Sequence, residues 1–454
     1  MRILSAVLCL FAIFAGTGRS QAQAASGPLA ALTGVVDEPQ SPESSVPALT
    51  LDEVERIALA ENPEIHVAAR KVAMAEAHVP TTGRLDDPQF MLRNWQVPLS
   101  RPWNLNAAQN MLMLSQSLPG PGKRSLQTDV ARSDVNVAKD ELESVRLRVR
   151  VEVRKAFFDL LLAQEEMRIH GQHVDIARQA IEAARIKYTV GKVPQQDVLK
   201  AQLAMTRLEE HIIRFERDAD VARVRMNTVL GRNPATPIRV QGDFKIGMDL
   251  PAEKQLEQQS LQSRPDLLEA QALVDRSRKE QSLAGKAYVP DFSVAGGYML
   301  MPSGSSPRNN YMFEGSITLP WLNRRKHDAE INESAVKVTE QEAEVAAMRN
   351  AAFGQIDEAL ANARSSQRLA RMYHDSLEPQ AEATLHAAVI AYENNQTGLL
   401  DLLDSQMAVI DVNLAWFQSM GEFAASMSEL ELAVGAPIEP AAGQSTSGKQ
   451  EEIQ

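Results

Sequence analysis

Between Pro121 and Pro194 the chain contains no proline, and that single stretch limits the fold more than any other feature. Within it Val135, Ala138, Leu142, Val145, Val149, Ala156, Leu160, Ala163 and Met167 recur at spacings of three, four or seven, the pattern of a helix with one apolar seam. The stretch predicts a helix of about 60 residues, a rod of about 90 Å at 1.5 Å per residue. A single domain does not wrap a rod of that length, so the seam must be buried against other rods. Only 5% of the chain is aromatic while 23% is charged, which suits long helices better than a compact globule.

The rod has a counterpart. Asn62-Pro63-Glu64-Ile65 returns as Arg264-Pro265-Asp266-Leu267, and Pro88 and Phe90 return as Pro290 and Phe292. Leu118-Pro119 returns as Leu319-Pro320, while Ala183, Ala184, Tyr188, Asp197, Gln202 and Gly231 return as Ala387, Ala388, Tyr392, Asp401, Gln406 and Gly435. The offset drifts only between 201 and 204 residues, so the chain is read as a duplicated unit. Each copy is expected to open with a helix of about 28 residues, begun in the first by Thr50 as N-cap with Glu53 three residues on. Two strands follow: 88–97 and 111–118 in the first copy, 292–300 and 311–319 in the second. The clearest alternation is Tyr311, Phe313, Gly315, Ile317 and Leu319 against Met312, Glu314, Ser316 and Thr318. A long helical hairpin ends each copy. The first turns at Tyr188–Pro194 and returns to Leu230; the second runs from Arg325 to Ala433, interrupted near Pro379 and turning at Asn394–Gly398. The expected organisation is a signal peptide (1–24), a flexible lead (25–48), the first repeat (49–234), a link (235–252), the second repeat (253–437) and a disordered tail (438–454).

The signal peptide rests on one arginine followed by a short apolar run and an Ala-Gln-Ala site at 22–24. The only cysteine, Cys9, lies within it, so neither a disulfide framework nor a thiolate metal site is expected. Loss of Arg2 and Arg19 leaves 45 basic against 59 acidic residues, a net charge of −14, which argues against nucleic acid as a partner. No later segment has 18 consecutive apolar residues, so a membrane would have to be crossed by strands. Four strands cannot close a membrane barrel, whose smallest size is about eight, and their open edges are prohibitive in lipid. Three chains supply twelve strands and repair this.

At the turns the chain resembles the TolC-like outer membrane efflux proteins, and the resemblance covers nearly the whole mature length. Ala184 to Asp197, A-R-I-K-Y-T-V-G-K-V-P-Q-Q-D, is similar to the family's first turn; Tyr392 to Asp404, Y-E-N-N-Q-T-G-L-L-D-L-L-D, is similar to its second. Leu118 to Arg124 resembles its strand-to-helix junction, and the Gly-Lys-Arg there resembles the heavy-metal branch. The resemblance implies a fold that is mainly α with a small membrane β part: a homotrimer whose 12-stranded β-barrel sits in outer-membrane lipid and continues as an α-helical tunnel through the periplasm. It implies docking on a periplasmic adaptor bound to an inner-membrane pump, with metal ions or drugs as cargo. It also implies a periplasmic gate at Asp401, Asp404, Tyr392 and Asp197, in which Tyr392 and Asp197 form a hydrogen-bonded lock. Thr397 stands where drug-efflux members carry an arginine, which leaves the salt-bridge half of that lock without its cation.

Asp401 and Asp404 lie three apart on one helix face, and in a trimer six carboxylates would ring the tunnel as charged rings do in channels; a solvated helix face is the plainer reading. The pair occurs only in the second copy, since the first has Asp197 followed by Lys200. Val190, Gly191, Lys192, Asn394, Asn395 and Gln396 are the exposed tips, where Gly and Asn tolerate positive φ and where the resemblance places adaptor docking. His170 and His173 permit a metal pair but have no third ligand in register, so no metal site is assigned. Met91, Met111, Met113, Met299, Met301 and Met312 cluster around the strands, read as flexible apolar filling with soft-metal traffic as the alternative. Trp95, Trp103, Tyr298 and Tyr311 are placed at strand ends, as an aromatic belt would be. No nucleophile-base pair, phosphate loop or catalytic acid pair is present, so no enzyme and no cofactor is expected. The competing functions are the channel of a type I protein secretion system and a periplasmic coiled-coil scaffold.

Overall fold

The computed structural model describes residues 47–100, 102–244, 250–394 and 396–438. The signal peptide, the lead up to residue 46 and the tail from 439 lie outside the described residues. In chain order β1 (Ala48–Leu49), α1 (Leu51–Glu61) and α2 (Pro63–Thr82) lead to β2 (Gln89–Trp95) and β3 (Gln109–Leu118). The long helix α3 (Lys123–Thr189) and its return α4 (Gln195–Val229) follow, then β4 (Arg239–Val240). The same order then recurs as α5 (Glu253–Ser263), α6 (Pro265–Ala284), β5 (Phe292–Leu300), β6 (Asn309–Ile317), α7 (Arg324–Met372), α8 (Glu378–Glu393) and α9 (Leu399–Val434). Among the described residues no helix is long and apolar enough to cross a membrane.

The opening helix starts where expected. The Glu53 carboxylate accepts the Thr50 amide at 2.9 Å and the Thr50 hydroxyl at 3.0 Å, which satisfies donors that the first turn leaves open. One helix of about 28 residues does not form, however. Asn62 sits at φ −64°, ψ 126° and Arg264 at φ −74°, ψ 114°. Each precedes a proline, whose ring excludes the helical region for the residue before it, so each copy opens with two helices. The break is then used. The Asn62 amide donates to the Val229 carbonyl at 2.8 Å, and the Arg264 guanidinium to the Ala433 carbonyl at 3.1 Å. Each half therefore clasps the last turn of its own return helix.

Helix α3 has 67 residues, about 100 Å of rod. Its Val149, Val153, Ala156, Phe157 and Leu160 pack with Val54 and Ala58 of α1 and with Ala222 and Met226 of α4. Met167, expected in the seam, is exposed, and Glu166 and His170 take the buried side instead. A straight helix drifts about 20° per heptad from a 3.5-residue repeat, which moves the stripe by one position over this length. A smaller core forms at the matching place in the second half, from Leu256, Ile356, Leu360, Leu430 and Val434. The halves are joined by Arg154, which pairs with Glu55 of α1 and Glu431 of α9, and by Lys155, 2.6 Å from Glu429. The second shaft is interrupted as the sequence predicts. Residues Tyr373–Leu377 form a π turn ahead of Pro379, which has no N–H and crowds the carbonyl four residues back.

The strands form one antiparallel sheet in the order β2-β3-β5-β6. β5 has the expected bounds, β3 and β6 start two residues earlier than expected, β2 starts one later, and β2 and β6 each end two residues sooner. Apart from them, β1 pairs in parallel with β4, so Ala48 at the end of the lead and two residues of the link are ordered. A two-residue strand has too little length for alternation to announce it. At the sheet's base Gly120 donates its amide to Asp291 at 2.7 Å and the Lys123 ammonium lies 2.9 Å from the same carboxylate. The Arg124 guanidinium donates to the Gly83 carbonyl at 3.1 Å. Gly120 and Lys123 thus staple this junction to the second half through Asp291, while Arg124 ties it back to the end of α2 in its own half.

Candidate functional site: the hairpin tips and the strand sheet

Both hairpins turn at the same end of the bundle. In the first, α3 stops with the Gly191 amide on the Tyr188 carbonyl and the Lys192 amide on the Lys187 carbonyl, both at 2.9 Å. Gly191 adopts φ +72°, which a side chain would strain. The second turn solves the same problem differently. Asn394 stays at φ −80° and uses its side-chain amide to cap the Ile390 carbonyl at 2.9 Å, so positive φ is not its role. The Gln396 amide bonds the Ala391 carbonyl at 2.8 Å. Val190, Gly191, Lys192, Asn394 and Gln396 are exposed; Asn395 lies outside the described residues.

Behind the tips Ala184, Ala201, Tyr392, Leu399 and Leu403 form a small core that ties the two hairpins together. Tyr392 is 8% exposed, and its hydroxyl has no hydrogen-bond partner. The expected bond to Asp197 is therefore not made. Burial raises the Tyr392 pKa, and the nearby Asp197 carboxylate raises it further. The contact that does form was not legible in sequence. Lys187, in the last turn of α3, places its ammonium 3.5 Å from the centre of the Tyr392 ring and 3.2 Å from the Tyr392 carbonyl. A cation at a helix C-terminus is ordinary, and only the spatial pairing of the two tips shows what it grips.

Asp401 and Asp404 are both exposed on α9. The Asp401 carboxylate also accepts the Gly398 amide at 3.3 Å, so it caps its own helix. Asp411 is exposed two turns further along, and at spacings of three and seven it continues the same stripe beyond the pair expected from sequence. Higher on the shaft His170 does not converge with His173 on a third donor. It stacks on His211 and Phe215 at centroid distances of 5.8 and 4.4 Å. Among the described residues, the carboxylates close enough to share a cation are Glu253, Glu257 and Asp357.

The sheet separates its side chains by chemistry. Register places Phe90, Leu92, Leu112, Leu114, Tyr311 and Phe313 on one face, which reaches 88% exposure at Phe313. Both charges within these strands, Arg93 and Glu314, fall on the other face. Tyr298 and Tyr311 oppose each other on the apolar face, 6.0 Å between ring centres. They stand two residues inside the strand ends, whereas Trp95 is on the opposite face and Trp103 is in the β2–β3 loop. The four aromatic residues therefore do not form one belt.

Long antiparallel hairpins continuing into a sheet with one lipid-compatible face define a channel wall of the outer membrane type. The chain belongs to the outer membrane efflux protein family, whose profile matches residues 55–232 and 256–436. Among its relatives is the cobalt-zinc-cadmium resistance protein CzcC of Cupriavidus metallidurans, 23% identical over 391 residues that cover 86% of this chain and 91% of that one. Nodulation protein T of Rhizobium leguminosarum bv. trifolii is 21% identical, covering 83% of this chain and 82% of that one. Solved structures share the fold. The outer-membrane channel OprN has a TM-score of 0.72 at 18% identity, covering 85% of this chain and 90% of that one. CusC has a TM-score of 0.72 at 16% identity, covering 88% and 96%. The protein is thus a TolC-like efflux channel of the Gram-negative outer membrane, with its helices in the periplasm.

Proposed function

We propose that three copies of this chain close a twelve-stranded barrel and a helical tunnel, forming the passive exit duct of a tripartite efflux system. One observation carries this reading: the sheet has an exposed apolar face while, among the described residues, its outer strands β2 and β6 each have an unpaired edge. In lipid such edges must be paired, and further copies of the same sheet pair them. The duplicated element order gives each chain two hairpins, so three chains supply the tunnel wall. The exposed residues Val190, Gly191, Lys192, Asn394 and Gln396, with Asn395 beside them in sequence, are the docking surface for a periplasmic adaptor that delivers cargo from an inner-membrane pump. Metal ions are the cargo we favour, in line with the name of the relative CzcC.

Asp401 and Asp404 ring the narrow end of the tunnel and attract cations. Lys187, holding Tyr392 from the neighbouring hairpin, keeps the entrance closed in place of an arginine at Thr397. In planar bilayers, Asp401→Ala with Asp404→Ala is expected to weaken blockade of the pore by multivalent cations about tenfold or more, as loss of a charged ring does. Unchanged blockade would remove these two residues from the gate.

A further inference from the structure

The face of the sheet that carries Arg93 and Glu314 also carries Met91, Met111, Met113, Met299 and Met312. We propose that this methionine face, turned toward the barrel lumen, is a binding surface for soft monovalent cations of the silver(I) and copper(I) class. The inference rests on the channel reading above, because it is the lipid on the apolar side that makes the other side the lumen.

Register shows the arrangement. Met91 lies directly opposite Met113, and Met111 directly opposite Met299. Met312 shares the row of the first pair across Gly297. Directly opposed Cβ atoms are about 4.5–5.5 Å apart, so two flexible thioethers can close on one cation from either side. Gly297 makes room for this. A Cβ there would stand 3.0 Å from the Met113 Cγ and 2.4 Å from the Leu112 carbonyl oxygen, so the glycine leaves space that the Met113 side chain occupies. The sulfurs are already placed as acceptors among polar groups. Gln109 donates its side-chain amide to the Met299 sulfur, and Arg93 donates to that of Met91 at 3.5 Å.

Flexible filling of apolar gaps is the usual use of methionine, and it predicts methionine on either face. All five strand methionines are on the lumen face, and the lipid face uses Leu, Val, Phe and Tyr instead. A thioether is neutral and soft. It favours soft monovalent cations, whereas zinc and other borderline ions prefer imidazole, thiolate and carboxylate. Several weak two-sulfur sites around a lumen would hold such a cation and still release it, as conduction requires. None of the eight histidines lies in a strand, and the single cysteine is Cys9.

The test is single-channel recording of the trimer in planar bilayers bathed in potassium nitrate, with silver nitrate added and zinc nitrate as the control. Silver(I) is expected to lower the conductance about twofold, with zinc not reproducing the effect. Replacing all five methionines by leucine, a volume-conserving exchange, should abolish the silver effect and leave the potassium conductance in place. If that variant fails to assemble, Met91→Leu with Met312→Leu, on the two outer strands, reads the same surface with a reduced effect. Equal silver sensitivity in wild type and variants would overturn the proposal, as would a potassium conductance that silver does not alter. Absence of any potassium conductance would overturn the channel reading and this inference with it.

Discussion

His170 and His374 occupy the same place in the two hairpins, 204 residues apart like Tyr188 and Tyr392, and they live in opposite surroundings. His170, in the unbroken α3, is 2% exposed, and neither ring nitrogen has a hydrogen-bond partner. His374 is exposed in the π turn before Pro379, stacked on Trp416 with its Nδ1 2.8 Å from Glu378. One element order has thus yielded a continuous strut with a buried neutral histidine and a shaft with a widened turn that gives its histidine a carboxylate. The shafts diverge while the clasps at Asn62 and Arg264 stay alike.

The comparison breaks most severely at Arg154, which ties the first half to the second. Arg154→Ala removes the cation beside Glu431 and leaves Glu55 only Arg150, 3.8 Å away, so denaturant unfolding should show a loss of about 3 kcal/mol. We expect one lowered transition; two separate transitions would show that strut and hinged shaft are independent units. His170 comes next. Burial lowers its pKa from 6.5 to about 4, with His211 and His173 adding to the fall. The fold therefore favours the neutral ring. Stability is complete above pH 6.5 and declines as pH falls toward 4, where the unfolded chain takes up a proton that the folded one refuses; the loss amounts to roughly 3 kcal/mol. His170→Phe should remove most of that slope, leaving the part due to His173, whose pKa burial also lowers. The smallest effect belongs to Pro379. Pro379→Ala restores an N–H and is expected to convert the π turn to α, slowing amide exchange at 373–378 while changing stability by less than about 1 kcal/mol.

Much of this fold is legible in sequence because its signals are long or chemically sharp. The proline-free stretch marks α3, Pro379 marks the interruption, and Thr50 with Glu53 marks a helix start. The split at Asn62 has a local signal in Pro63, which biases the residue before it away from the helical region. Other features have no local signature. Lys187 meets Tyr392 only because two distant turns end at one level. The methionines alternate with leucines within β3, yet nothing in one strand says which parity of the next shares its face; register decides that. Met167 leaves the seam because a seven-residue repeat drifts off one face of a helix that repeats every 3.6 residues.

The sheet order also dictates a sequence of events. β3 pairs with β5, Leu118 opposite Phe292, so the central ladder closes only after the entire first hairpin has been synthesised and passed by. Until then the β2–β3 hairpin presents Phe90, Leu92, Leu112 and Leu114 with no third strand beside it, and a lone hairpin is marginal in water. Such a late, non-local pairing is slow and leaves sticky surface in the open. The nascent chain therefore passes through an interval in which its helices can fold while its first strand pair still waits for the rest of the sheet.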